Sequence, residues 1–172
     1  MINDKTVAVV IPAYNEETQI ELVIQSMPDF VDRIIVVNDG STDNTSEIIK
    51  EMINTDKNDY SNKRIGKKKL VANRYNAVDI ELQKLIENES TLFFPSVIYN
   101  QNPEKNRIIL INHKKNGGVG TAVANGYKWC RDNEIDCIAK IDGDGQMDPK
   151  ELKSICMPVI TENVDYVKGN RL

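Results

Sequence analysis

The sequence is poor in histidine, cysteine and basic charge, and each scarcity removes a class of function. There is one histidine in 172 residues, His113. With no G-x-S-x-G elbow beside it, a Ser-His-Asp hydrolase is a poor reading, and a histidine next to a turn is expected on the surface. Cys130, Cys137 and Cys156 are odd in number and form no C-x-x-C pair, which supports neither a disulfide framework nor a thiolate zinc site. They read as reduced core thiols. Basic residues are outnumbered, 22 Lys and Arg against 26 Asp and Glu, for a formal net charge of -4. Counterion release needs a clustered basic excess, so no nucleic-acid partner is expected and any polyanion bound is a small ligand. No apolar run reaches the length of a membrane span. The first, Val7 to Ile11, stops at Pro12 and is too short for a signal peptide. The expected location is therefore cytoplasmic, with any membrane segment left to a longer parent chain.

What is present is ordinary globular material, 40% apolar and 28% charged, enough for one domain over residues 1–172. Val7-Ala8-Val9-Val10-Ile11 and Ile34-Ile35-Val36-Val37 are continuous β-branched runs of the kind buried on both faces of a parallel sheet. Between them Ile20, Val23, Ile24 and Met27 recur at helical spacing, ended by Pro28. A second helix is expected from Asn44, with Glu47 placed for a cap interaction and Ile48, Ile49, Met52 and Ile53 as its apolar side. From about 54 to 106 the sequence is polar and irregular, with one helical stripe at Val78, Leu82, Leu85 and Ile86, and reads as an insertion. Order returns at residues 107–111, a third strand. It continues through the turn Asn116-Gly117-Gly118-Val119-Gly120 into a helix carrying Ala122, Gly126, Trp129 and Cys130. Residues 138–141 make a fourth strand. Asp148 and Pro149 form a helix start, and residues 164–167 are expected as a fifth strand. Alternating strands and helices give a doubly wound, mostly parallel α/β sheet with helices on both faces.

Ligands of such sheets bind beyond the carboxyl ends of the strands. There the sequence places Pro12-Ala13-Tyr14-Asn15-Glu16, Asn38-Asp39-Gly40-Ser41-Thr42-Asp43 and Asp142-Gly143-Asp144-Gly145-Gln146, a polar and acidic rim. Asp142, Asp144 and Gln146 alternate, so an extended backbone sets their oxygens on one side. Oxygen ligands suit Mg²⁺ or Mn²⁺, which take one or two carboxylates and complete the shell with water and phosphate oxygens. A Ca²⁺ loop of the EF-hand type is excluded, because Met147 and Lys153 stand where it needs Gly and Glu. The glycine turn has two readings, phosphate contact through amides at a helix start, or a tight turn with Gly126 allowing close packing.

Taken in order, Val-Val-Ile-Pro-Ala-Tyr-Asn-Glu-Glu (9–17), Val-Val-Asn-Asp-Gly-Ser-Thr-Asp (36–43) and Ile-Asp-Gly-Asp-Gly-Gln-Met-Asp-Pro (141–149) resemble family 2 glycosyltransferases of the GT-A fold. The resemblance is strongest to the dolichol- or polyprenyl-phosphate sugar transferase branch and spans about 1–53 and 107–172. It implies a donor that is a UDP- or GDP-sugar, and an acceptor that is a glycan or a lipid phosphate. By the same resemblance Pro12, Ala13, Tyr14 and Glu16 line the base and ribose pocket, joined by Val37 and Asp39, with Asp39 accepting a hydrogen bond from the base. Asp142, Gly143 and Asp144 match the family's D-x-D segment at the metal and sugar diphosphate, and Gln146 matches a further metal ligand. Gly169-Asn170-Arg171 resembles a G-[ST]-R segment, which turns Arg171 toward phosphate. The reaction implied is transfer with inversion. The acceptor-binding part and the general base are expected beyond Leu172. Two other readings stand beside this one, a nucleotide-binding module without transfer activity and an unrelated α/β protein with an acidic rim.

Lys63, Arg64, Lys67, Lys68, Lys69 and Arg74 crowd one stretch beside Tyr60 and Tyr75. A charge run is ordinarily a solvated loop. A lipid-phosphate acceptor gives it a second reading, peripheral contact with the cytoplasmic face of an anionic membrane.

Overall fold

In the computed structural model, which describes residues 1–61, 81, 92–162 and 164–169, the two β-branched runs lie at the centre of one sheet. Strand β1 (Val7–Ala13) and strand β2 (Arg33–Asn38) are buried along their whole length. They pair in parallel, Val9 opposite Ile34 and Pro12 opposite Val37. Strand β3 (Ser96–Ile98) and strand β4 (Ile108–His113) follow, then strand β5 (Cys137–Lys140). The order across the sheet is β3-β4-β2-β1-β5, parallel throughout except for antiparallel β3 at one edge. This is the mostly parallel α/β sheet expected.

Alternation along the strands divides the core into two layers. Val9, Ile11, Ile34, Val36 and Leu110 face helices α1 (Ile20–Gln25) and α2 (Thr45–Thr55). Ala8, Val10, Ile35, Ile109 and Ile111 face helix α3 (Val119–Asp132) through Ala122, Trp129 and Cys130. Helix α4 (Leu152–Thr161) packs at the β5 edge, where Cys156 meets Cys137 in a small cluster with Ile2 and Val7. All three cysteines are free and buried, as expected of core thiols.

Local chemistry differs from expectation at several points. The start of α2 is capped by Asp43, whose Oδ1 accepts from the Thr45 amide at 3.0 Å, while Glu47 pairs with Lys50 at 3.0 Å and makes no cap. Asp148 does cap its helix start, accepting from the Lys150 amide at 3.0 Å with Pro149 next to it. Residues 164–167 form no strand. Within the stretch expected as a polar insertion, β3 adds an edge strand that the sequence pattern did not announce, since all three of its residues are exposed. The helical stripe of Val78, Leu82, Leu85 and Ile86 lies outside the described residues. Buried Arg33 fastens the ends of this stretch to the sheet, donating to the carbonyls of Tyr60 at 2.9 Å and Glu104 at 3.0 Å.

Gly126 lets α3 lie directly on β1, because a Cβ there would overlap Cγ1 of fully buried Val10. Gly126→Ala should therefore overpack the α3 layer and cost about 1–3 kcal/mol, despite the better helix propensity of alanine. Urea unfolding measures this directly; an unchanged or raised midpoint would mean that the two elements are not in close contact.

Candidate functional site

Counted in chain order, the four parallel strands run third, second, first, fourth across the sheet, so the order reverses between β1 and β5. Loops diverge at such a point and leave a crevice beyond the carboxyl ends. A cleft of about 310 Å³ opens there. From the end of β1 come Pro12, Ala13, Tyr14 and Glu16; from β2, Asp39; from beyond β5, Asp142, Gly143 and Asp144. Asn116, Gly118, Val119 and Ala122, around the start of α3, complete it. Eight of the residues singled out in the sequence thus share one cleft. The last four were not assigned to it, although the glycine turn marked their neighbourhood.

Close approach of the loops depends on glycine. A Cβ on Gly143 would sit 3.2 Å from the Pro12 carbonyl, so the D-x-D segment lies against the end of β1. Gly40 has φ +73°, and a Cβ there would stand 2.7 Å from backbone atoms of Lys115 and Asn116. That position takes glycine both for its left-handed backbone and for lack of space.

Asp39 is buried and fully engaged on one side. Its Oδ1 accepts from the Gly117 amide at 2.9 Å and contacts His113 Nδ1 at 2.6 Å, and its Oδ2 accepts from the Gly118 amide at 2.7 Å. The Gly117 and Gly118 amides are therefore committed to a carboxylate and are not open to phosphate. His113, expected on the surface, is instead buried at the end of β4, its side chain inaccessible. The histidine turns inward because it finds partners there: Asp39, Asn125 at 2.8 Å and the tilted ring of Phe94.

Three further placements differ from expectation. Val37 lies wholly inside the core with Val10 and Ile111, since strand alternation turns it under the cleft floor and away from a ligand. The D-x-D-x-Q segment is a turn and not an extended strand. Gly145 has φ +73°, and Asp144 Oδ1 accepts from the Gln146 amide at 3.0 Å, so alternation does not align the three side chains. Gln146 is exposed and lies outside the cleft lining. Arg171 lies outside the described residues.

The cleft is acidic. Burial, and then the carboxylates of Asp144, Asp43 and Asp142, push the Glu16 carboxyl above its ordinary range. Lys140 forms an ion pair with Asp142. Among the described residues no three His, Cys, Asp or Glu side chains gather as a metal cluster. Two carboxylates at a cleft mouth are nonetheless a suitable donor set for Mg²⁺ or Mn²⁺, which leave most of their shell to water and ligand oxygens.

Comparison with known proteins gives a consistent picture. The glycosyl transferase family 2 model matches residues 8–79 and 85–172. The chain is 30% identical over 170 residues to the UDP-N-acetylglucosamine--dolichyl-phosphate N-acetylglucosaminyltransferase of Methanococcus voltae, covering 98% of this chain and 53% of that protein. It is 26% identical over 172 residues to an uncharacterized protein of Methanocaldococcus jannaschii, covering 99% of this chain and 49% of that one. The chain thus spans about half the length of the curated relatives it matches. Among solved structures, S. aureus TarS 1-349 shares the fold, with a TM-score of 0.50 at 17% identity over 93% of this chain and 34% of that one.

Because the fold raises the affinity of Glu16 for its proton, the contribution of this group to stability is present at low pH and is lost as pH rises through its folded-state pKa. Glu16→Gln should therefore raise the melting temperature at about pH 7, and the gain should vanish toward about pH 4, where the carboxyl is largely protonated in either state. Thermal unfolding across that range decides the matter; no gain at neutral pH would show that neither burial nor the neighbouring carboxylates disfavour the charged form of Glu16.

Proposed function

The chain belongs to glycosyl transferase family 2, and from that premise we propose that its cleft binds a nucleoside diphosphate sugar and presents the sugar to a lipid phosphate. The observation that carries this reading is the meeting, at the switch point of the sheet, of a partly exposed aromatic (Tyr14), a buried acceptor (Asp39) and the carboxylates Asp142 and Asp144. The first two suit a base and the last two suit a cation-bridged diphosphate. The name of the Methanococcus voltae relative favours a UDP-sugar as donor and a dolichyl-type phosphate as acceptor. A GDP-sugar meets the same requirements.

Chemistry at this cleft is a displacement with inversion at the sugar carbon. Tyr14, 47% exposed at the cleft wall, covers one face of the base, while Asp39 takes a hydrogen bond from its edge. Asp142 and Asp144 would hold Mg²⁺ or Mn²⁺, whose charge stabilises a departing diphosphate. Glu16, close to both carboxylates, adds negative potential that favours cation entry. A lipid phosphate is already a nucleophilic oxyanion, so transfer to it needs no general base. Such an acceptor puts the working enzyme at the cytoplasmic face of a membrane. Among the described residues no helix is long and apolar enough to cross one.

Two measurements test the proposal. UDP or GDP with Mn²⁺ should raise the melting temperature, and calorimetry should show that Asp144→Asn removes the Mn²⁺-dependent part of nucleotide binding while the fold persists. Nucleotide affinity that is the same with and without Mn²⁺ in both proteins would take the D-x-D segment out of the site. The basic stretch 63–74 lies outside the described residues, and its role at the membrane is tested by co-sedimentation with anionic liposomes. Changing its six basic residues to Gln should release the protein, as should high salt; binding that survives both treatments would leave the stretch as a spacer.

A further inference from the structure

His113 is the only histidine in the chain, and its environment fixes which ring nitrogen carries the proton. Asn125 Nδ2 lies 2.8 Å from the Phe94 carbonyl and 2.8 Å from His113 Nε2. A backbone carbonyl only accepts, so the nitrogen of Asn125 must face it; the reversed amide would set two carbonyl oxygens against each other. The second N–H of that same nitrogen then points at Nε2, which must accept. The proton is left on Nδ1, 2.6 Å from Asp39 Oδ1, and His113 is the donor in that contact. Holding the amide this way leaves Asn125 Oδ1 buried with no partner. A buried acceptor without a partner carries a free-energy cost, so its persistence calls for an explanation.

The explanation lies in what Asp39 then presents to the cleft. A carboxylate has about four acceptor positions. Two on Oδ1 are filled by Gly117 and His113, and one on Oδ2 by Gly118. One acceptor position remains, on Oδ2, in a residue that lines the cleft. We infer that His113, held by Asn125, is a positioning residue that keeps Asp39 a pure acceptor and thereby restricts the donor to nucleotides whose base offers a ring N–H. Uracil and guanine offer one. Cytosine and adenine present a lone pair at the matching ring nitrogen and meet the carboxylate as acceptor against acceptor. The histidine touches no ligand in this arrangement and acts through the carboxylate. The inference rests on the reading of Asp39 as the base-contacting group.

Without the Nδ1 N–H, Oδ1 would be a buried charged oxygen short of a partner, and Asp39 would no longer be held with its open acceptor position toward the cleft. Selectivity, rather than affinity alone, is then the sensitive quantity. The amide of asparagine can stand in for the Nδ1 side of the ring and that of glutamine for the Nε2 side. His113→Asn therefore keeps a donor toward Asp39, whereas His113→Gln keeps only the acceptor toward Asn125. Affinities for UDP, GDP, CDP and ADP with Mn²⁺, measured by calorimetry on the native chain and on His113→Asn, His113→Gln and Asp39→Asn, separate the cases. His113→Gln should lower the UDP/CDP and GDP/ADP preference by about tenfold or more, the worth of one hydrogen bond to a charged group, and His113→Asn should largely restore it. An unchanged preference in His113→Gln, or equal loss in both histidine variants, overturns the inference. If Asp39→Asn also leaves the preference intact, Asp39 does not read the base and both readings fall; if it abolishes the preference and His113→Gln does not, only the role of His113 falls. Ring ¹⁵N chemical shifts of the single histidine provide a test that needs no variant. They should report a protonated Nδ1 and a bare Nε2, and the opposite tautomer would sink the inference.

Discussion

A carboxylate at the end of a central strand holds the ligand-binding end of this molecule together. Asp39 closes β2 and accepts from two consecutive amides of the turn that starts α3 and from the histidine that ends β4. Hydrogen bonds to charged groups contribute about 1.5–3 kcal/mol each, and a buried carboxylate missing one of them costs at least as much. Two chain segments far apart in sequence, the end of β2 and the stretch from His113 to Gly118, are thereby fixed to one point at the floor of the cleft. Helix α3 cannot shift along the sheet without breaking them, and Gly126 against Val10 removes the slack on its other side.

Across the cleft the balance of charge is the reverse. Glu16, Asp142 and Asp144 stand near one ion-paired lysine, Lys140, and burial, together with the neighbouring carboxylates, raises the proton affinity of Glu16. On the Asp39 side every oxygen is fed by donors; on the D-x-D side negative charge is left in excess. A ligand that suits both walls carries a neutral hydrogen-bonding end and a strongly anionic end bridged by cations. That division is the shape of a nucleotide diphosphate, and it is the physical content of the proposed function.

Much of this was legible in the sequence. The β-branched runs that became β1, β2 and β4 could bury themselves on both faces only in a parallel sheet. The polar residues after them have nowhere to go but its rim, and there Pro12, Tyr14, Asp39, Asp142 and Asp144 line the cleft. Strand β3 was not legible, because Ser96–Ile98 is short and exposed and owes its extended form to pairing with β4. His113 could not be placed either. Its burial depends on Asp39, 74 residues away, and on Asn125, and no local pattern encodes that encounter. Gln146 followed a rule of alternation that holds for extended chain, and one left-handed glycine, Gly145, cancelled the rule.

Arg33 has a consequence of a different kind. Its guanidinium gathers the carbonyls of Tyr60 and Glu104, so the two ends of the long stretch between α2 and β4 are fastened side by side, at the end of the sheet away from the cleft. Closing a loop whose ends are already pinned costs entropy that grows only with the logarithm of its length, about 0.6 kcal/mol for each doubling. Relatives could lengthen, shorten or exchange the chain between Ser61 and Leu92 with little effect at the opposite end of the strands, whereas Phe94 and β3, which hold Asn125 and pair with β4, belong to the fixed part. The fold thereby leaves the middle of this excursion free to diversify, while the buried arginine at its ends and Phe94 with β3 near its return mark the parts that cannot vary.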